Sequence, residues 1–177
     1  MNVLKLSRNI NIKLITKMNF NRKNLGFTLI ELLVVVAIIG ILASVVLSSL
    51  NTARAKGADA AIKANLANIR AQAEILYDSN SPNSYAGICT GSTATGPALV
   101  VYNQMKAAAD SLGGTVAAVN LVGTASTVVC HVDGNNANWA VSSGTKVTPA
   151  DSWCVDSTGA SMKIVTGFLP ANDTTCN

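Results

Sequence analysis

A single carboxylate stands in a stretch otherwise fit for lipid. From Phe27 to Leu50 the chain reads FTLIELLVVVAIIGILASVVLSSL, and Glu31 is its one charge. An acidic side chain inside a membrane helix costs roughly 2.5–3.5 kcal/mol on insertion scales, so it calls for a partner. No basic residue lies within the run; Arg22 and Lys23 lie upstream of it. Cutting the chain after Gly26 would create a further cation, the α-amino group of Phe27. That amine would sit one helical turn from Glu31, or beside the Glu31 of a neighbouring copy. The chemistry predicted is charge pairing that drives self-assembly.

The other reactive side chains lie far downstream. Four cysteines, Cys89, Cys130, Cys154 and Cys176, fall in the last half of the chain. An even number in an exported domain with a small core reads as two disulfides. Three connectivities are open, and Cys89–Cys130 with Cys154–Cys176 is favoured. The second bridge would close a loop of about twenty residues, worth roughly 3 kcal/mol, and would tie down the tail. Zinc is the competing reading, but the spacings are wide and no C-x-x-C pair occurs. His131, the one histidine, follows Cys130; in a strand their side chains point to opposite faces, which argues against a Cys–His pair. No nucleophile elbow, phosphate loop or H-E-x-x-H motif is present, so no enzyme and no cofactor are expected. Asp133, Asp151, Asp156 and Asp173 sit in turn-like contexts, and DGNNAN at 133–138 does not complete a calcium loop. Trp139, Trp153 and Tyr85 are assigned to packing rather than to a contact surface.

These residues need elements to hold them. Two dozen apolar residues in a helix span about 36 Å, enough for a bilayer core of about 30 Å. Residues 51–79 change character: Ile62, Leu66, Ile69, Ala73 and Leu76 recur at helical spacing as one narrow stripe in an alanine-rich, charged context. The expectation is an amphipathic continuation of the membrane helix, ending near Asp78 before Pro82. Residues 80–177 are poor in charge and rich in small polar residues, which suits a head of α+β type. A short helix is expected over 97–112, stopped by Gly113-Gly114. Strands are expected over 115–122, 127–132, 138–142, 152–155 and 161–165, arranged as an antiparallel sheet that buries the 62–76 stripe. Turns are signalled at 133–135, Ser143-Gly144 and 156–159.

The formal charge is +4, but residues 1–26 carry six basic residues and no acid. Without them seven basic and nine acidic residues remain, a charge of −2. The basic balance therefore belongs to the leader and gives no support to nucleic-acid binding. Met18 is a second candidate start, which would leave a nine-residue leader. Basic residues ahead of an apolar segment keep that end cytoplasmic.

The segment NRKNLGFTLIELLVVVAIIGIL resembles the type IV prepilin leader and N-terminal helix. The resemblance covers about residues 22–50 through Arg22-Lys23, Gly26, Phe27, Thr28, Leu29, Glu31 and Gly40. It implies a pilin-like fold, with a long N-terminal helix packed on a small sheet. It implies cleavage between Gly26 and Phe27 by a prepilin peptidase, and N-methylation of Phe27. It gives Glu31 the role of neutralising a neighbour's N-terminal amine in a filament. It also implies a C-terminal region closed by a disulfide. Ser48 stands where many type IV pilins carry proline, so a proline break is not expected there.

The leading functional reading is a structural subunit of a type IV pilus. Its partners would be copies of itself, the prepilin peptidase and methyltransferase, an assembly platform and the membrane. A pseudopilin of a type II secretion system shares the same N-terminal signal and is the alternative. A membrane-anchored binding domain that never assembles is the third reading. In all three the head lies outside the cytoplasmic membrane, on a pilus, in a periplasmic pseudopilus or on an anchor. The domain organisation expected is a leader at 1–26, an apolar helix at 27–50, its amphipathic continuation at 51–79 and a head at 80–177.

Overall fold

The computed structural model describes residues 26–117 and 119–177. Residues 1–25 of the expected leader 1–26, with Arg22, Lys23 and the second candidate start at Met18, lie outside the described residues. The chain divides into two units, Met1–Leu42 and Ala43–Asn177.

The first helix, α1, runs Leu29–Ser79, 51 residues. In the first unit its side chains are exposed on every face, as expected of a sequence with Val, Ile and Leu all round. It is the one helix among the described residues long and apolar enough to cross a membrane.

In the second unit α1 buries one stripe: Asp59, Ile62, Leu66, Ile69, Ala73 and Leu76. The five apolar positions are those the periodicity predicts. The second helix, α2, spans Gly96–Leu112, with Pro97 in its first turn and a left-handed Gly113 at its C-terminus. The N–H groups of Gly113 and Gly114 bond to the Asp110 and Ala109 carbonyls, which satisfies two terminal acceptors.

Five strands follow: β1 (Thr115–Val116), β2 (Thr127–Val132), β3 (Trp139–Gly144), β4 (Ser152–Asp156) and β5 (Ser161–Ile164), paired in that order. β2 to β5 form an antiparallel meander, with Cys130 opposite Val141 and Cys154 opposite both Ser142 and Met162. The architecture is α+β, with two departures from expectation. β1 is two residues long, not eight, and pairs with β2 in parallel, so the sheet is mixed. Residues 119–122 instead loop toward the far face, where the Asn120 N–H reaches the Cys130 carbonyl and the Leu121 carbonyl reaches His131. The expected turn at Ser143-Gly144 is also absent. Gly144 ends β3, and a Cβ there would come within 2.5 Å of the Ala125 carbonyl oxygen. That glycine permits a close backbone approach; the reversal comes later, over 145–151.

Strand alternation gives the sheet two buried faces. Val128, Cys130, Trp139, Val141 and Val155 face the α1 stripe and the apolar side of α2. Val129, Ala140 and Cys154 face the C-terminal segment through Leu169 and Cys176. Covering on both sides makes β3 buried along its length.

Candidate functional site

Gly26, Phe27 and Thr28 precede the helix in non-regular conformation, and Phe27 is 89% exposed. Thr28 is the last residue before α1 and Glu31 is its third residue. The Glu31 Oε2 accepts from the Thr28 backbone N–H at 2.8 Å and from its hydroxyl at 2.8 Å. In return the Glu31 N–H donates to the Thr28 hydroxyl oxygen at 3.2 Å. This is a reciprocal capping box, which satisfies donors that every helix leaves open at its start. The carboxylate also lies at the positive end of the helix dipole.

The sequence reading gave Glu31 no partner inside the apolar run. The structure corrects this: Thr28 is that partner, through hydrogen bonds rather than opposite charge. The signal was visible as Thr-x-x-Glu immediately before an apolar helix. Both capping bonds to the carboxylate use Oε2, leaving Oε1 outside the box.

In the head, Cys89 is bonded to Cys130 and Cys154 to Cys176. The first bridge lies on the helix face and ties the segment after α1 to β2. The second lies on the opposite face and ties the C-terminal segment to β4. Closing loops of 41 and 22 residues is worth about 4 and about 3 kcal/mol in the chain-entropy model.

Three buried side chains tie segments of the head together. Asp156, buried at the end of β4, accepts four bonds. Its Oδ1 takes the Thr158 N–H (2.9 Å), the Thr158 hydroxyl (2.7 Å) and the Ala160 N–H (3.0 Å). Its Oδ2 takes the buried Cys176 N–H at 2.8 Å. Burial pushes this carboxyl up, but the bonds from Cys176, Thr158 and Ala160 outweigh it and hold it below the usual aspartate value. His131 is buried on the tail side of β2, with its two ring nitrogens 2.7 Å from the Asp173 and Leu121 carbonyl oxygens. Cys130 faces the other way, so the adjacent pair is divided by the sheet. Asp151 holds the Lys163 ammonium at 2.6 Å and the Thr166 N–H at 2.8 Å, which brings its carboxyl down to about 2.

Asp59 was not singled out by the sequence reading. It lies on the same stripe, three residues before Ile62, and accepts from the Lys146 and Val147 N–H groups at 2.6 and 3.1 Å. A carboxylate in register with an apolar stripe was the available signal. Asp133 holds its own turn through the Ala137 N–H and the Asn138 amide. Trp139 is fully buried and Tyr85 packs edge-on against it at 6.2 Å, so both belong to the core. The Tyr85 hydroxyl donates to Glu74, and burial together with that carboxylate raises it to about 12.

An exposed apolar helix with a capped carboxylate near its start, followed by a disulfide-closed α+β unit, describes a chain with one helix able to cross a membrane. A family model described as the prokaryotic N-terminal methylation motif matches residues 21–47. The chain is also 41% identical over 101 residues to the type IV wide pilus major component PilA4 of Thermus thermophilus. That similarity covers 51% of this chain and 76% of the relative. No solved structure matches. The chain belongs to the type IV pilin family.

Proposed function

We propose that this chain is a filament subunit made as a membrane precursor, cut between Gly26 and Phe27 and N-methylated on Phe27. The leader end faces the cytoplasm before cutting, and the head lies outside. The apolar helix then leaves the lipid and packs against copies of itself, with the heads forming the filament surface. One observation carries the reading: an apolar helical surface exposed on all sides from Leu29 to Leu50. Burial stabilises such surface by about 25 cal/mol per Å2, so it requires lipid or other helices around it.

Gly26 supports the cleavage step. A Cβ at this position meets nothing within 4 Å, so the described fold itself does not demand glycine. Without a side chain the backbone here is open to an outside partner, and the active site of a peptidase fits. Glu31 then has two tasks, capping its own helix through Oε2 and attracting the Phe27 amine of an incoming copy. The name of the Thermus relative, a wide pilus component, favours a pilus over a secretion pseudopilus.

The test is intact mass and N-terminal sequencing of protein purified from its own cells without reductant, alongside microscopy of sheared surface filaments. The expected chain begins with methylated Phe27, carries two disulfides and is found in filaments. An uncut chain confined to the membrane would overturn the reading. A cut chain whose loss abolishes protein secretion, with no surface filament, would replace it with the pseudopilus.

A further inference from the structure

In the second unit most of the unpaired basic residues lie toward one end and most of the exposed acids of α1 toward the other. β3 and α1 set the axis. At one end the Asp59 carboxylate binds the Lys146 and Val147 N–H groups, just past the end of β3. At the other, Tyr77 packs at a tilt against Tyr85 with ring centres 4.9 Å apart, and Tyr85 meets Trp139, the first residue of β3. From Asp59 to Asp78 the helix rises about 28 Å.

The Asp59 end carries Arg54, Lys56, Lys63, Lys146 and Lys163, all exposed. Of its acids, Asp59 and Asp151 are buried and already hold backbone N–H groups or Lys163, and the exposed Asp110, one turn before Gly113 beside Lys146, is paired with Lys106. Among the described residues no ion pair reaches Arg54, Lys56, Lys63 or Lys146. Lys56, Lys63 and Lys163 line an open groove of about 370 Å3 with Trp153 as one wall. The Lys63 ammonium lies 4.4 Å from the Trp153 ring centre. The opposite end carries Glu74, Asp78 and Asp133 with one exposed cation, Arg70, beside the Gly159 turn. The last turn of α1 contains no basic residue, so Asp78 adds negative charge where the helix dipole is already negative. Among the described residues no ion pair reaches Asp78.

We infer that the lysine groove of one copy receives the acidic α1 end of another, a head-to-tail contact in which Lys56 and Lys63 meet Asp78 and Glu74. The contact uses two different patches of the same chain, so it can repeat from copy to copy, and it builds an open filament where its rotation does not close a ring. A lysine placed at the end of α1 removes the unfavourable dipole arrangement, and the aromatic wall beside Lys63 limits its hydration. Complementary ends also orient incoming copies before the apolar helices meet. The inference rests on the filament reading above.

Charge reversal in the full chain, expressed in its own cells, tests it. Folding of each variant is checked by its thermal midpoint, and the subunit in sheared filaments is measured against total subunit. Lys56→Glu and Asp78→Lys are each expected to lower filament subunit at least tenfold. The double variant Lys56→Glu/Asp78→Lys restores complementarity between copies and is expected to return within about threefold of wild type. Wild-type filaments are expected to shed subunits faster at 1 M than at 0.15 M NaCl, because salt shortens the screening length from about 8 to about 3 Å. Single reversals that leave filaments at the wild-type level would overturn the contact while the filament reading stands. A loss with Lys56→Glu that Asp78→Lys does not rescue would also overturn it and point to anionic lipid as the lysine partner. Absence of wild-type filaments would remove the filament reading and this contact together.

Discussion

The Asp156 network predicts a large effect from a one-atom change. In Asp156→Asn the amide oxygen can keep the Thr158 and Ala160 bonds at Oδ1. The other position becomes an NH2 group facing the buried Cys176 N–H, two donors with no acceptor. A hydrogen bond to a charged acceptor contributes about 1.5–3 kcal/mol, and the remaining bonds lose their charge assistance. The expected cost is about 2–4 kcal/mol, or roughly 8–16 °C in the midpoint of a unit this size. The assay is near-ultraviolet circular dichroism of the tryptophans during heating of the oxidised full chain in detergent. Asp156 is held below its ordinary value in the folded state, so its stabilisation is present above the unfolded-state value and lost as pH falls through the folded one. The gap between wild type and variant should therefore be constant from about pH 8 to 5 and narrow below about pH 4. A gap under 1 kcal/mol at pH 7, or one that widens in acid, would refute the reasoning.

The remaining predictions concern processing, assembly and packing. Glu31→Gln keeps an acceptor for the Thr28 cap but removes the charge, whereas Glu31→Val removes both. Both should be cut normally and fail to enter filaments, and only Glu31→Val should also fray the first turn of α1, by about 1 kcal/mol in amide exchange; normal filaments from Glu31→Gln would contradict charge pairing. Gly26→Phe should accumulate as uncut precursor with an unchanged thermal midpoint of the head, read by mass and calorimetry. The double variant Cys154→Ser/Cys176→Ser should lose about 3 kcal/mol and release the C-terminal segment to proteolysis before the rest of the head. Gly144→Ala drives a methyl group against the Ala125 carbonyl and should cost about 1–3 kcal/mol in chemical denaturation, with free space for the methyl group contradicting that packing.

The parts of the fold legible in the sequence were those set by local pattern. The 62–76 stripe, the glycine stop after Leu112 and the bounds of β2 follow from periodicity and turn chemistry. The short parallel β1 was not legible, because 115–122 has strand composition along its whole length and only the path of the chain takes it elsewhere. Gly144 read as a turn because a glycine needed for close approach looks the same in sequence as one needed for reversal. The four bonds to Asp156 join residues up to 20 apart, and no local pattern announces them. At the N-terminus the charge in the apolar run was conspicuous. Its capping partner three residues away was masked by the search for a cation.

The rims of the sheet have a further consequence. β1 offers two residues of ladder and β5 four, with Lys163 in the middle of β5. Long bare strand edges invite pairing with other chains, and short charged ones discourage it. Subunits crowded along a fibre would meet one another's rims at very high local concentration. With so little edge to offer, neighbouring sheets would find little ladder to share, which would disfavour a continuous cross-β ribbon.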